Sequence, residues 1–221
     1  KTSLSTAKTS LSTAKTSLNL NQHFYINLDK CKTRRLETIT ELKKIGIKKS
    51  NRFEAIEDDI GLVGCAKSHI GVLEKAKQLN WDYCIVFEDD IVIEGKKALL
   101  DKMKKYINYD FDVLFLGCWN VEPPITIEKD LLRVNKCWTT HAYICKRHYY
   151  DTLIENYREG ADNKINGDNP SNNIDEYTSV LQKRDKWYCL NPIHITQRDG
   201  WSYNFNEVRN LQQTIKHIPS S

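Results

Sequence analysis

Apolar and polar positions along the chain follow two periods in turn. HFYINL (residues 23–28) reads as a strand, and residues 31 to 46 place Leu36, Ile39, Leu42 and Ile45 at helical steps before Gly46. RFEAI is a second short strand. Residues 62 to 80 carry Leu62, Ala66, His69, Leu73 and Ala76 at alternating steps of four and three, one stripe of a helix. YCIVFE is a third strand, residues 95 to 107 a third helix, and DVLFLG a fourth strand. LLRVNKC and AYIC look like shorter strands, followed by a helix from about residue 146 to 159. Residues 160 to 173 (GADNKINGDNPSNN) are polar and read as a long loop, a candidate substrate lid or a disordered insertion. This alternation predicts an α/β fold with a mainly parallel central sheet flanked by helices on both faces.

One strand ends in a way the pattern does not require. IVFEDDIVI (residues 85–93) runs apolar side chains into Glu88, Asp89 and Asp90 and then turns apolar again. Carboxylates at the edge of a core must be paired, protonated or given a cation. In open α/β sheets, ligands sit beyond the carboxyl ends of the strands, which is where this triplet falls. Glu88 and Asp90 share one side of the strand and Asp89 faces the other. Two carboxylates on one side suit a hard divalent cation, magnesium or manganese. The plainer alternative is a strand that ends in a solvated acidic turn.

Composition narrows the setting. The 221 residues are 40% hydrophobic and 28% charged, which suits one domain with a real core. KTSLSTA occurs twice and begins again, so residues 1–20 are set apart as a low-complexity heptad-repeat tail, disordered or weakly helical, and residues 21–221 as the domain. The net charge is +4, but taking Lys1, Lys8 and Lys15 of the tail from the 33 basic residues leaves 30 against 29 acidic ones. A body so balanced gives no reason to expect nucleic acid as partner. No apolar run has the length of a transmembrane segment, and the N-terminus lacks a signal-peptide core. Seven cysteines, an odd number with several in apolar runs, read as reduced thiols, and the absence of CxxC spacing argues against a structural zinc site. A cytoplasmic location is the expectation.

Several stretches, in order, resemble glycosyltransferase family 25, which includes lipooligosaccharide galactosyltransferases and relatives of the collagen galactosyltransferases. They are YINLDKCKTRR, RFEAI, GLVGCAKSHIGVLEKA with its Gly64-Cys65 and Ser68-His69, the acidic triplet, THAYICKRHYYDTLI, NNIDEY and PIHITQRDGWS. The resemblance implies a GT-A type Rossmann-like fold, a UDP-sugar donor carrying galactose or glucose, a divalent metal (Mn2+ first, Mg2+ second), and transfer with inversion to a glycan, glycolipid or protein acceptor. Two departures stand out: Lys30 where the family usually has Arg, and Ser202-Tyr203-Asn204 where relatives carry Ser-Asp.

On this basis Asp90 and Glu88 are the expected metal ligands, with His194 completing the shell. Asn27, Arg34, Ser68, His69, Asp89 and Trp201 are the expected donor-site residues. Asp175 is the candidate base for the acceptor proton. Each has a plainer reading: Arg34 as a solvated helix face, His69 as a core histidine on its apolar stripe, Asp175 and Glu176 as the first turn of a helix capped by Asn173, and Trp201 as a packing aromatic. Two other classes stay open, a metal-dependent phosphoryl-transfer enzyme and a binding module that kept the fold without the chemistry.

Overall fold

The computed structural model describes residues 16–167 and 174–210. The repeat over residues 1–15 and the centre of the expected loop, 168–173 with Asn173, lie outside the described residues. In chain order the elements are β1 (His23–Asn27), α1 (Lys32–Lys44), β2 (Arg52–Glu54), α2 (Gly61–Gln78), β3 (Tyr83–Glu88), β4 (Ile91–Ile93), α3 (Lys96–Tyr106), β5 (Val113–Glu122), β6 (Ile125–Glu128), β7 (Leu131–Arg133) and β8 (Lys136–Lys146). There follow α4 (Tyr150–Ile165), α5 (Ile174–Tyr177), α6 (Ser179–Arg184), β9 (Trp187–Leu190), β10 (Ile195–Gln197), β11 (Gly200–Ser202) and β12 (Glu207–Arg209).

Eight strands form the main sheet in the order β2-β1-β3-β8-β5-β9-β7-β6. The fold is α/β as expected, but the sheet is mixed rather than mainly parallel. Only the β1/β2, β1/β3 and β5/β9 pairs are parallel. β8 runs antiparallel between β3 and β5, and β7 antiparallel between β9 and β6. The helical alternation ends at β5, and the chain returns through β6 and β7 without a crossover helix, which permits antiparallel pairing.

Alternation along β3 decides which way each side chain goes. Cys84 and Val86 enter one core with Val63, Ala66 and Val72 of α2 and Leu153 and Tyr157 of α4. Tyr83, Ile85 and Phe87 enter a second core with Leu42 of α1 and Leu99 and Met103 of α3. Each core is a sheet face closed by two helices, and burying about ten large apolar side chains on each side is the main stabilising term. Continuing the count, Glu88 falls on the α2 side of the sheet and Asp89 on the α1 side.

Three local expectations are corrected. Leu36, expected on the buried stripe of α1, is 68% exposed, because the helix turns Thr38 and Glu41 inward instead. The Thr38 hydroxyl donates to the Asp89 carbonyl at 2.8 Å and the Glu41 carboxylate accepts from the Ile93 amide at 2.7 Å, so polar bonds to the acidic segment set the helix's rotation. Residues 160–165, expected in a loop, continue α4, whose Gly160 sits where a Cβ would meet the Tyr177 ring at 3.1 Å. Residues 16–20, counted with the tail, carry Leu18 and Leu20 against the second core. Among the described residues, no helix is long and apolar enough to cross a membrane.

Candidate active site

The carboxyl ends of β1 and β3 bring Asn27 and the acidic triplet together at one edge of the sheet. Asn27 is buried, donates through Nδ2 to Asp89 Oδ2 at 2.7 Å and to the Cys31 carbonyl at 3.2 Å, and accepts from Arg52 Nε at 3.2 Å. Arg34, one turn into α1, forms ion pairs with Asp89 and, at 3.3 Å, with Asp90. Burial opposes charge on Arg34, but the Asp90 and Asp89 carboxylates outweigh it and raise its pKa. Asn27, Arg34 and Asp89 therefore hold one another and fix the position of the triplet.

Glu88 faces the other way and is held by two side chains. His69 Nε2 lies 3.3 Å from Glu88 Oε1, and the Thr140 hydroxyl donates to the same oxygen at 2.9 Å. Burial pushes the Glu88 carboxyl up, but His69, the charge of His141 and the Thr140 hydroxyl bring it below its usual range. His69 is fully buried, stacked on Tyr143 at 5.7 Å, with Nδ1 3.0 Å from the Tyr143 hydroxyl. It orients Glu88 and is thus both a core histidine and part of the site. Ser68 is different: its hydroxyl donates to the Gly64 carbonyl at 2.7 Å and accepts from the Ile56 amide at 2.8 Å, so it ties α2 to the segment after β2.

Asp90 is the least satisfied of the three. Gln197 Nε2 donates to Asp90 Oδ2 at 3.2 Å, while Asp90 Oδ1 is buried without a hydrogen-bond partner. Burial and then the Glu88 charge carry its carboxyl from 3.8 up to about 7, against the pull of Arg34. Gln197 arrives by β10, which pairs antiparallel with β4 so that Gln197 stands opposite Ile91, and its own Oε1 is likewise buried and unpartnered. Asp175, on α5, is a third such group: Oδ1 has no partner, and burial followed by the Glu88 charge lifts the carboxyl to about 7. The Thr140 hydroxyl interacts with Asp175 as well as Glu88, yet has a single proton to donate.

A break in β8 supplies the far wall. Between the Gly117–Ala142 and Trp119–Trp138 pairs the register slips, and Thr139 adopts φ +73°, a strained conformation for a β-branched residue. The bulge turns Thr140 toward Glu88 and buries His141, whose Nε2 lies 3.0 Å from the Ile195 carbonyl. Gly117 makes this possible: a Cβ there would lie 2.0 Å from the Ile195 carbonyl oxygen and 2.4 Å from His141 Nε2.

The β11/β12 hairpin covers the mouth. Its Trp201 carbonyl accepts from Arg34 Nη1 at 3.4 Å, its Tyr203 carbonyl packs so closely on Gly61 that a Cβ there would approach to 2.3 Å, and Asn204 hydrogen-bonds Cys65. The Trp201 ring is 47% exposed, a free aromatic face at the rim. His194 is not brought into this group. It sits at the start of α3, its Nδ1 where a Cβ on Gly95 would come within 2.9 Å and its Nε2 3.2 Å from Lys102 Nζ. Gln197, three residues on, occupies the place expected of it.

A divalent cation fits this donor set. Asp90 Oδ1 and the neighbouring Gln197 Oε1 are hard oxygen donors without hydrogen bonds, and a cation beside them would relieve the repulsion from Glu88 that raises the Asp90 carboxyl. Thr140, His141 and Gln197 were not singled out in the sequence. The signal for the first two is the polar run Thr139-Thr140-His141 inside an otherwise apolar strand; Gln197 carries none.

Among solved structures, the chain is similar to A197 from STIV, with 12% identity and a TM-score of 0.49 over 90% of this chain and 97% of that one. It is also similar to a glycosyltransferase involved in glycosylation of the major capsid of PBCV-1, with 6% identity and a TM-score of 0.42 over 76% and 91% of the two chains. A putative glucose-1-phosphate thymidylyltransferase from Bacillus anthracis, in complex with a sucrose, matches at 11% identity and 0.44 over 79% and 69%. No curated protein matches the chain. Residues 59–163 match the family described as Glycosyltransferase family 25 (LPS biosynthesis protein). That span holds Cys65, Ser68, His69, the acidic triplet and Thr140, whereas Asn27, Arg34, Asp175 and Gln197 lie outside it and are joined to the site by geometry alone. Over residues 59–163, just under half of its length, the chain is thus similar to glycosyltransferase family 25.

Proposed function

We propose that the protein transfers a hexose, galactose or glucose, from a UDP-sugar to a hydroxyl of a glycan, glycolipid or protein, with inversion at the anomeric carbon and with manganese as the preferred cation. The observation that carries this reading is the pair of buried, unpartnered oxygens on Asp90 and Gln197, neighbours through their hydrogen bond, with Asp90 and Asp175 both raised by the charge of Glu88. When bound, the cation neutralises charge that builds on the departing diphosphate.

The remaining work falls to the chain's own side chains. Asp90 and Glu88 are the cation's carboxylate ligands, with Gln197 Oε1 beside them. Arg34 keeps Asp89 and Asp90 in place and lends positive charge to the same rim. Asp175, held near 7, is suited to take a proton from an acceptor hydroxyl at neutral pH and hold it on the unpartnered Oδ1. Trp201 offers the exposed ring on which a sugar face can stack. A reducing, cytoplasmic setting belongs to this reading and is supported by seven free cysteines, six of them buried.

The test is UDP release from UDP-galactose, UDP-glucose and UDP-N-acetylglucosamine, with manganese and with chelator, for wild type and Asp90→Asn. Metal-dependent release with a hexose donor, lost in the variant, is the expected result. Donor binding by neither protein would overturn the reading.

A further inference from the structure

α2 places Cys65 and His69 one helical turn apart on the same face, and the end of β3 brings Glu88 against them. The Cys65 thiol, a His69 ring nitrogen and a Glu88 carboxylate oxygen all lie within 4.8 Å of one another. A tetrahedral zinc ion, with bonds of about 2.3 Å to sulfur and about 2.0 Å to nitrogen or oxygen, spaces its ligands about 3.5 Å apart. The His69–Glu88 pair already stands at 3.3 Å, and the Cys65 thiol lies within 4.8 Å of both.

The surroundings hold two of these ligands in the poses a cation needs. The Tyr143 hydroxyl, 3.0 Å from Nδ1, can accept the ring proton of His69, and on cation binding that tautomer would free the Nε2 lone pair now set against Glu88. Thr140 fixes the carboxylate by its 2.9 Å hydrogen bond. Sulfur sets this group apart from the oxygen donors of Asp90 and Gln197: thiolate and imidazole favour zinc and cobalt, whereas manganese and magnesium prefer carboxylate and amide oxygens.

We propose that Cys65 Sγ, His69 Nε2 and the Glu88 carboxylate form a binding site for a thiophilic divalent cation, zinc in class, that neighbours the hard-cation donors and shares Glu88 with them. On binding, a sulfur–metal bond forms and the thiol proton passes to solvent. Sharing Glu88 makes zinc and manganese rivals, so that zinc is an inhibitor relieved by excess manganese. This regulatory consequence rests on the transferase reading; the binding itself does not.

The experiment titrates cobalt into the full chain, stripped of metal and kept reduced with a phosphine. One equivalent should give a near-ultraviolet thiolate-to-cobalt charge-transfer band and the strong visible bands of four-coordinate cobalt, both abolished by zinc. Cys65 is only partly buried, so Cys65→Ser is expected to fold, as circular dichroism would verify, to lose the charge-transfer band and to bind zinc at least about a hundredfold more weakly. A wild-type titration without that band, or a band that survives in Cys65→Ser, overturns the site. In the UDP-release assay, zinc should raise the manganese concentration needed for half-maximal rate in wild type and not in Cys65→Ser. The cobalt bands without binding of, or UDP release from, any donor would leave the site standing and remove the transferase reading. Manganese-dependent release without the bands would do the reverse.

Discussion

Replacing Asp90 with asparagine should separate stability from activity. Its carboxyl rises from 3.8 to about 7 through burial first and then the charge of Glu88. A carboxyl raised in the folded state binds its proton more tightly there, so its ionised form costs stability. That cost is absent below the unfolded value, grows as pH climbs between the two values, and is complete above about 7. At about 1.4 kcal/mol per decade, the full cost without a cation is about 4 kcal/mol. Asparagine carries no charge and escapes it; the favourable pull of Arg34 at 3.3 Å and of Gln197 at 3.2 Å is already contained in that net rise. Asp90→Asn should therefore be more stable than wild type by about 4 kcal/mol at about pH 8 in chelator, a Tm rise of about 8–16 °C. Near pH 4.5 the gap should shrink to about 1 kcal/mol or less. Asp175, lifted in the same way, titrates in both proteins and largely cancels from the difference. The assay is thermal or urea unfolding of both proteins across that pH range, repeated with manganese. Manganese at about a hundredfold excess over its Kd should stabilise wild type by about 2.7 kcal/mol and the variant far less. A variant less stable than wild type at the alkaline end, or a gap independent of pH, would refute the account of Asp90 as a carboxylate strained by the want of a cation.

Other substitutions probe the surrounding framework. Gly117→Ala would force a Cβ to within 2.0 Å of the Ile195 carbonyl, and should cost at least about 2 kcal/mol in urea unfolding; a cost under about 0.5 kcal/mol would show that β10 does not press on this strand as described. Arg34→Gln removes the charge that opposes the rise at Asp89 and Asp90, so the acid limb of the UDP-release pH profile should move up by about one pH unit, and an unmoved limb would place the titrating group elsewhere. Asp175→Asn should lower transfer to an acceptor by about a hundredfold or more while donor binding, read by calorimetry, persists; unchanged transfer would require another base.

The parts of this fold legible in the sequence are those in which one period dominates. β3 reads as a strand because apolar residues run unbroken from Tyr83 to Phe87, and α2 as a helix because its buried residues recur at helical steps. The direction of the β8 and β7 strands is not written in any local period. It follows from the β6–β7 excursion, and excursions of that kind are fixed by long-range pairing. The face of α1 was misread for a related reason: hydrophobicity favours Leu36, but two hydrogen bonds, from Thr38 to the Asp89 carbonyl and to Glu41 from the Ile93 amide, outweigh one exposed leucine.

The site divides along the same line. The carboxylate triplet could be found because three charges in a buried strand contradict their surroundings, and such contradictions mark function. Which of the three faces a cation could not be settled by the triplet alone. Strand parity sends Glu88 toward α2 and Asp89 toward α1, and both then meet partners, His69 and Thr140 for the first, Asn27 and Arg34 for the second. Asp90 lies past the strand end, where parity no longer governs, and is left with one unpaired oxygen. His194 was expected because imidazole coordinates manganese acceptably, whereas β10 pairs with β4 in the register that puts Gln197 opposite Ile91. A shift of one residue in that pairing would turn Gln197 away from Asp90. The chemistry of the site thus depends on a three-residue strand whose register is set by Ile195, buried against Gly117 and His141, and not by any residue that touches the carboxylates.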